Sequence, residues 1–255
     1  MCYNKNMEEL LKEGERLEDL QCGGMTIAQN PQWYLFTTDS VLLANYVKLP
    51  KNAVACEFGS GCGVVSVLVA YKQHPKRLIA LELQPHLADL TRRNALRNGL
   101  GIETVQGDVR QAAQILGADI ADVVFCNPPY RKQNAGPVQS NETQRICRHE
   151  VTLTLPQLAE SAARGLKSRG SLYLVHQPER FAELCVTLGQ QRLVVKEACL
   201  VYPRPGAEPC LVLVKAVKEG KHGMRWKSLT LYDEAGNYTE QAQKIYGESY
   251  GKQKG

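Results

Sequence analysis

No apolar run in this 255-residue chain approaches the length of a membrane span, so no membrane partner is expected. The stretch from Met1 to Leu20 is rich in Glu and Lys and has no apolar centre, which does not read as a secretory leader; the expected compartment is the cytoplasm. The nine cysteines include no Cys-x-x-Cys pair, and the five histidines form no cluster at ligand spacing. Neither a zinc site nor a disulfide framework is therefore indicated, and no metal is expected. An odd cysteine count fits a reducing compartment. Internal repeats are absent, which excludes solenoids and propellers. Also missing is the third glycine of a Gly-x-Gly-x-x-Gly dinucleotide fingerprint: Gly59, Gly61 and Gly63 are present, but Val64 stands where the last glycine is needed.

What is present suits one large domain with appendages: 28.3 kDa with 44% hydrophobic residues is enough for a sizeable core. A net charge of +5 and a pI near 8.7 permit a polyanionic partner without demanding one. Residues 8 to 20 read as a charged lead-in, partly helical or disordered. Met25 to Gln29 alternates like a short strand, and Thr37-Thr38-Asp39-Ser40 precedes an apolar helix from Val41 to Val47, for which Thr38 and Asp39 are ordinary cap candidates. From Asn52 onward strands and helices alternate, the pattern of a parallel sheet covered on both faces. Strands are expected at Val54–Phe58, Leu78–Glu82, Glu103–Gln106, Asp122–Cys126 and Ser171–His176. Helices are expected at Val64–Tyr71, Pro85–Asn98, Leu155–Lys167 and Pro178–Leu188. Leu193–Tyr202 and Cys210–Val217 suit a hairpin at the sheet edge. The division expected is residues 1–50 as a lead-in, 51–218 as the main domain and 219–255 as a basic tail.

The chemistry concentrates at Val123-Val124-Phe125-Cys126-Asn127-Pro128-Pro129-Tyr130. A buried strand closed by two prolines holds Asn127 extended at a strand's C-terminal end, where open α/β sheets keep their ligands. The Asn127 amide oxygen and the Pro128 carbonyl can both accept from one exocyclic NH2 group, and Tyr130 offers a face to a planar base. A Pro-Pro turn with a capping Asn and a core Tyr is the plainer alternative. The glycine turn Gly59-Ser60-Gly61-Cys62-Gly63 lets backbone approach a ligand, and Glu82 at the next strand end suits a ribose diol. S-adenosyl-L-methionine, which has no pyrophosphate to cradle, fits that pair better than a nicotinamide dinucleotide does. Alone, Glu82 would pass as an exposed strand-end charge and Asp108 as a helix cap.

Phe36-Thr37-Thr38-Asp39-Ser40-Val41-Leu42-Leu43-Ala44, the glycine turn, Asn127-Pro128-Pro129-Tyr130 and Arg148-His149-Glu150 together resemble the tRNA adenine-N6 methyltransferases that modify the adenine 3′ of the anticodon in a valine tRNA. The likeness runs from about Arg16 into the tail, through Leu231-Tyr232-Asp233-Glu234 and Asn237-Tyr238-Thr239-Glu240. Glu57 departs from the Asp usual in the family, and Cys147 from the usual Ala. The resemblance implies a Rossmann-like class I methyltransferase, an α/β fold with a seven-stranded mostly parallel sheet, an antiparallel edge hairpin and a short N-terminal addition. It implies S-adenosyl-L-methionine held by Thr38, Asp39, Glu57, Gly59, Ser60, Gly61, Gly63, Glu82, Leu83, Asp108 and Asn127. It also implies methyl transfer directed by Asn127, Pro128, Pro129 and Tyr130, and tRNA bound by Arg131, Lys132, Arg145, Arg148 and His149. Further cations at Arg204, Lys215, Lys218, Lys221 and Lys227 would assist along the C-terminal edge. A monomer or weak homodimer is expected. The amide-directed corner is shared with glutamine-N5 protein methyltransferases and with enzymes acting on rRNA or DNA, and a cofactor-binding RNA adaptor without turnover is the alternative from another class.

Overall fold

The chain is described by a computed structural model that covers residues 11–33, 35–128 and 153–246. Strands β1 (Arg16–Asp19) and β2 (Thr26–Gln29) pair antiparallel, and a loop leads to helix α1 (Thr38–Tyr46). The alternation then runs β3 (Val54–Phe58), α2 (Val64–Gln73), β4 (Arg77–Glu82), α3 (Pro85–Arg97), β5 (Ile102–Gln106), α4 (Ala112–Leu116) and β6 (Ala121–Cys126). It continues through α5 (Leu155–Gly165), β7 (Leu166–His176), α6 (Phe181–Gln190), β8 (Leu193–Tyr202), β9 (Leu211–Lys218), β10 (Arg225–Thr230) and α7 (Glu240–Tyr246).

Local chemistry explains the boundaries. Pro85 occupies the first turn of α3, where its missing N–H is no loss, and Gly99, at φ +63°, follows that helix's end. α5 opens with a reciprocal capping box: the Gln157 N–H donates to Thr154 Oγ1 at 3.4 Å and the Thr154 N–H to Gln157 Oε1 at 3.0 Å. β3, β4 and β6 are buried and mostly apolar because helices cover both faces of a parallel sheet, with Glu57 and Glu82 the buried charged exceptions. Alternate residues divide between two cores. Ala55, Leu78, Val123 and Phe125 meet α1, α2 and α3, while Cys56, Phe58, Ile79, Leu81 and Val124 meet α4, α5 and α6.

The main sheet has the order β10-β8-β9-β7-β6-β3-β4-β5, in which only β9 runs antiparallel to its neighbours. The chain moves outward from β3 through β4 to β5, then returns to build the other side from β6. That reversal opens a crevice between the C-terminal ends of β3 and β6, the position where such sheets bind ligands. The ends of β8 and β10, Tyr202 and Thr230, lie on the same rim.

Several expectations change. The seven-stranded mostly parallel sheet carries an eighth strand, β10, from the segment read as a basic tail, so the β8–β9 hairpin is not at the edge. β10 escaped notice because Arg225, Trp226, Lys227 and Ser228 are all exposed and only Leu229 is buried, the charged composition that guards a sheet edge against further pairing. Likewise, residues 16–19 of the charged lead-in form β1. Helix α5 stops at Gly165 and β7 begins at once, with a register shift against β6 where Arg169 adopts φ +66°.

The β1–β2 hairpin is fastened to α3 by side-chain amides that imitate a neighbouring strand. Asn94 Oδ1 accepts from the Ala28 N–H and its Nδ2 donates to the Ala28 and Cys62 carbonyls, all at 2.8 Å. Asn98 does the same with Thr26, at 3.0 and 2.7 Å. Arg93 adds a two-point ion pair to Glu15, at 2.6 and 2.7 Å. Because Asn94 is fully buried, Asn94→Ala strands three backbone groups without water. It is expected to cost about 3 kcal/mol, read as a lower urea midpoint at unchanged slope.

Candidate active site

The turn after β3 is shaped by three left-handed glycines, Gly59, Gly61 and Gly63, at φ +73°, +59° and +82°. A Cβ on Gly63 would sit 2.9 Å from Thr91 Cγ2, so the close approach of α3 demands glycine there. At Gly59 a Cβ would meet nothing within 4 Å, leaving an open cradle on the crevice side. Four of the turn's five N–H groups are already used. Gly59 and Ser60 donate to the Leu81 carbonyl at 2.8 and 3.2 Å, Gly63 to the Ser60 carbonyl at 2.8 Å and Gly61 to Glu82 Oε2 at 2.8 Å. Such a turn does not offer the array of free amides that a pyrophosphate requires. Thr91 braces it from α3, donating to the Gly61 carbonyl at 2.8 Å and lying 3.1 Å from Ser60 Oγ.

Glu82 ends β4 only 5% exposed, and burial raises its carboxyl above the usual range. Its Oε2 accepts from Gly61 N–H and its Oε1 from Gln84 N–H at 3.0 Å. A carboxylate has about four acceptor positions, and the backbone N–H groups of Gly61, Gln84 and Leu83 act on this one, so the oxygen pair keeps acceptor capacity for a ribose hydroxyl. Leu83 beside it is exposed, an apolar surface next to that pair. The residues thus fit S-adenosyl-L-methionine. Asp108 stands at the end of β5 as expected, but there it caps a short 3-10 turn, accepting from the Arg110 N–H at 2.9 Å, and its carboxylate is held below the ordinary range by the Arg110 guanidinium.

Glu57 lies behind the turn, 1% exposed, accepting from the Ser66 N–H at 3.0 Å and from the Ser66 hydroxyl. The longer reach of Glu at this position carries the carboxyl under the first turn of α2. Burial pushes its pKa up from 4.5 to about 8, with the nearby Glu82 charge adding to the effect.

Asn127 follows β6 directly, and its Nδ2 donates to Ser40 Oγ at 3.0 Å. Ser40 is 1% exposed, on the first turn of α1, and the sequence alone marks it only as part of a helix start. Nor do Thr38 and Asp39 cap that helix. Thr37 occupies the cap without a side-chain bond, and Asp39, raised by burial, has the Thr38 hydroxyl 3.5 Å away. Both are half-buried on the first turn of α1, next in sequence to the Ser40 that holds Asn127. The Trp33 and His86 rings meet edge to face at 4.7 Å close to Glu82, a wall that no local motif announces because its halves come from distant segments.

Pro129, Tyr130, Arg131, Lys132, Arg145, Arg148 and His149 lie outside the described residues. Of the other cations, Arg204 is exposed on the rim loop after β8, whereas Lys218 pairs with Asp119 at 2.7 Å and Lys227 with Glu197 at 2.9 Å. Lys215 sits over the Tyr173 ring, 5.5 Å from its centroid, on the body of the sheet. Among the described residues no group of three or more His, Cys, Asp or Glu could hold a metal ion, and no helix is long and apolar enough to cross a membrane.

The buried acid sets a pH dependence. Folded Glu57 keeps its proton up to about 8, while an unfolded glutamate loses it near 4.5, so the folded state binds the extra proton and stability falls as pH rises between those values. Glu57→Gln is expected to flatten that decline in unfolding free energy measured from pH 5 to 8.

A tRNA1(Val) (adenine(37)-N6)-methyltransferase of Shewanella sp. (strain MR-4) is 26% identical over 229 residues, covering 88% of this chain and 91% of the relative. A Porphyromonas gingivalis protein of the same name is 26% identical over 186 residues, 69% of this chain and 71% of its own. The crystal structure of a predicted O-methyltransferase from Agrobacterium tumefaciens superposes with a TM-score of 0.67 at 22% identity, covering 82% of this chain and 96% of that one, which places the fold among class I methyltransferases. Residues 36–198 match the family model described as the methyltransferase small domain, a span that runs from the approach to α1 through most of β8. The chain belongs to the methyltransferase small domain family.

Proposed function

We propose that this chain transfers a methyl group from S-adenosyl-L-methionine to the exocyclic N6 of an adenine in a tRNA anticodon loop, the activity named for its relatives from Shewanella and Porphyromonas. The observation that carries the reading is the Asn127–Ser40 bond. It fixes the planar amide so that Nδ2 faces α1 and Oδ1 is directed away from it, the orientation an acceptor needs to receive an amine hydrogen.

In this reading the cofactor is held by the glycine turn of Gly59, Ser60, Gly61 and Gly63, by the remaining Glu82 acceptors for ribose and by Leu83 against the planar ring. Thr38, Asp39 and Asp108 contribute from the rim, and Glu57 acts from behind by holding the first turn of α2. When bound, S-adenosyl-L-methionine supplies an electrophilic methyl on a sulfonium sulfur. Adenine N6 is a poor nucleophile because its lone pair is delocalised into the ring. Asn127 Oδ1 and the Pro128 carbonyl would accept its two hydrogens and draw the nitrogen toward tetrahedral geometry, freeing the lone pair to form the N–C bond as the S–C bond breaks and S-adenosylhomocysteine leaves; the methylated nitrogen would then give up one of those hydrogens as a proton to solvent. Positioning of this kind supplies the acceleration without a strongly shifted base. An anticodon-loop adenine is already close to single-stranded, so bringing it out costs little. Pro129 and Tyr130 extend the corner, Tyr130 as a stacking face, while Arg131, Lys132, Arg145, Arg148 and His149 are assigned to the RNA backbone.

The decisive experiment incubates unmodified tRNA with the protein and S-adenosyl-L-methionine and analyses its nucleosides by mass spectrometry. N6-methyladenine is expected; methylated glutamine in a protein substrate instead would overturn the assignment. Asn127→Ala is expected to slow methyl transfer on the order of a hundredfold or more while cofactor affinity stays near normal by calorimetry, and Ser40→Ala roughly tenfold through kcat. Glu82→Ala should show the reverse pattern at the first step, with cofactor affinity weakened by roughly one to two powers of ten.

A further inference from the structure

Beyond β10 the chain folds back across the rim. Leu231 N–H donates to the Tyr202 carbonyl and Tyr232 N–H to that of Pro203, at 2.9 and 3.0 Å. A tight turn follows, closed by Gly236 N–H to the Asp233 carbonyl at 3.1 Å and Asn237 N–H to Asp233 Oδ1 at 2.9 Å, and it brings Tyr238 opposite Tyr232 in an antiparallel bridge. Three rings then stand in a column. Tyr246 and Tyr238 stack at 5.2 Å and 21°, Tyr238 and Tyr232 at 4.8 Å and 17°.

The inner end of the column has a structural purpose. Tyr246 is 2% exposed, and its hydroxyl donates to the Thr38 carbonyl at 3.5 Å, tying α7 to the first turn of α1, two residues from the Ser40 that holds Asn127. The outer end has none. Tyr232 is 37% exposed, yet it is not loose: its hydroxyl bonds that of Tyr238 at 3.4 Å and its backbone is pinned to Pro203. A fixed aromatic ring whose outer face meets solvent, on the same rim as Asn127, is preorganised for a planar partner.

We infer that the outer face of Tyr232 is a stacking platform for an unpaired base of the RNA substrate, flanking the adenine held at Asn127. The inference rests on the RNA-methylating reading above. Every base has a π-face, so such a platform binds without reading sequence. The turn beside it bears exposed Asp233 and Glu234, which disfavour a phosphate at this point and favour an uncharged base. Loop bases next to a displaced adenine lose a stacking neighbour, and a tyrosine ring replaces it.

The test measures binding of the full chain to an unmodified tRNA and to its isolated anticodon stem-loop across a salt series, alongside methyl transfer. Tyr232→Ala and Tyr232→Leu are expected to weaken both RNAs by roughly five- to a hundredfold, with Tyr232→Trp near wild type. Stacking releases no counterions, so the slope of log affinity against log salt should be the same in all four proteins. Affinity for S-adenosyl-L-methionine serves as the folding control and should not move, while the thermal midpoint falls only slightly, by the stack lost from Tyr238. Wild-type affinity in the Ala and Leu variants, with methylation intact, would overturn the platform and leave the methyl-transfer reading standing. A salt slope reduced by about one unit would overturn it in favour of a phosphate contact, and a wild-type chain that neither binds nor methylates RNA would overturn both.

Discussion

The bond from the Gly61 amide to the Glu82 carboxylate is the contact on which the crevice depends. Parallel strands end with no hairpin to join them, and this bond extends the tie between β3 and β4 that Gly59 and Ser60 make to the Leu81 carbonyl. Burying Glu82 is costly, and the two backbone N–H groups it accepts offset that cost while fixing the carboxylate in place. The same bond draws the glycine turn away from phosphate binding by consuming a donor. α3 completes the arrangement from one side, with Thr91 on the Gly61 carbonyl and Asn94 on that of Cys62. Since Asn94 also pairs with Ala28, one side chain links the N-terminal hairpin directly to the glycine turn.

Much of this was legible in the amino-acid order. The strand–helix alternation from Val54 to Phe125 follows from continuous apolar runs punctuated by Gly and Pro, and such runs have few other ways to be buried. Asn127 and Glu82 were readable because strand ends in an open parallel sheet converge on one rim. β1 and β10 were not, since each is short, charged and stabilised by a partner that the local sequence does not specify. Ser40 was hidden for a related reason: its meaning lies in an asparagine 87 positions away, and nothing in a helical first turn distinguishes a hydroxyl with a partner from one without.

Some readings were legible but incomplete. The family resemblance puts Glu57 on the cofactor; in the structure its carboxyl points beneath α2 and supports the turn from the protein side. Asp108 was placed by the same logic, and the neighbouring Arg110 claims its carboxylate through several bonds. Spacing along a strand locates a residue at the rim. It does not choose which of the available donors will reach it first.

The contact between Tyr246 and Thr38 spans 208 positions. The helix that orients Asn127 is thus secured by one of the last described residues, so local contacts alone cannot finish the corner. Loop closure over such a separation is entropically late, and contacts of this length slow folding. On a ribosome the central strands could pair while the rim still lacked its clasp. A nascent chain would then carry the sheet before it carried a fully braced Asn127 corner.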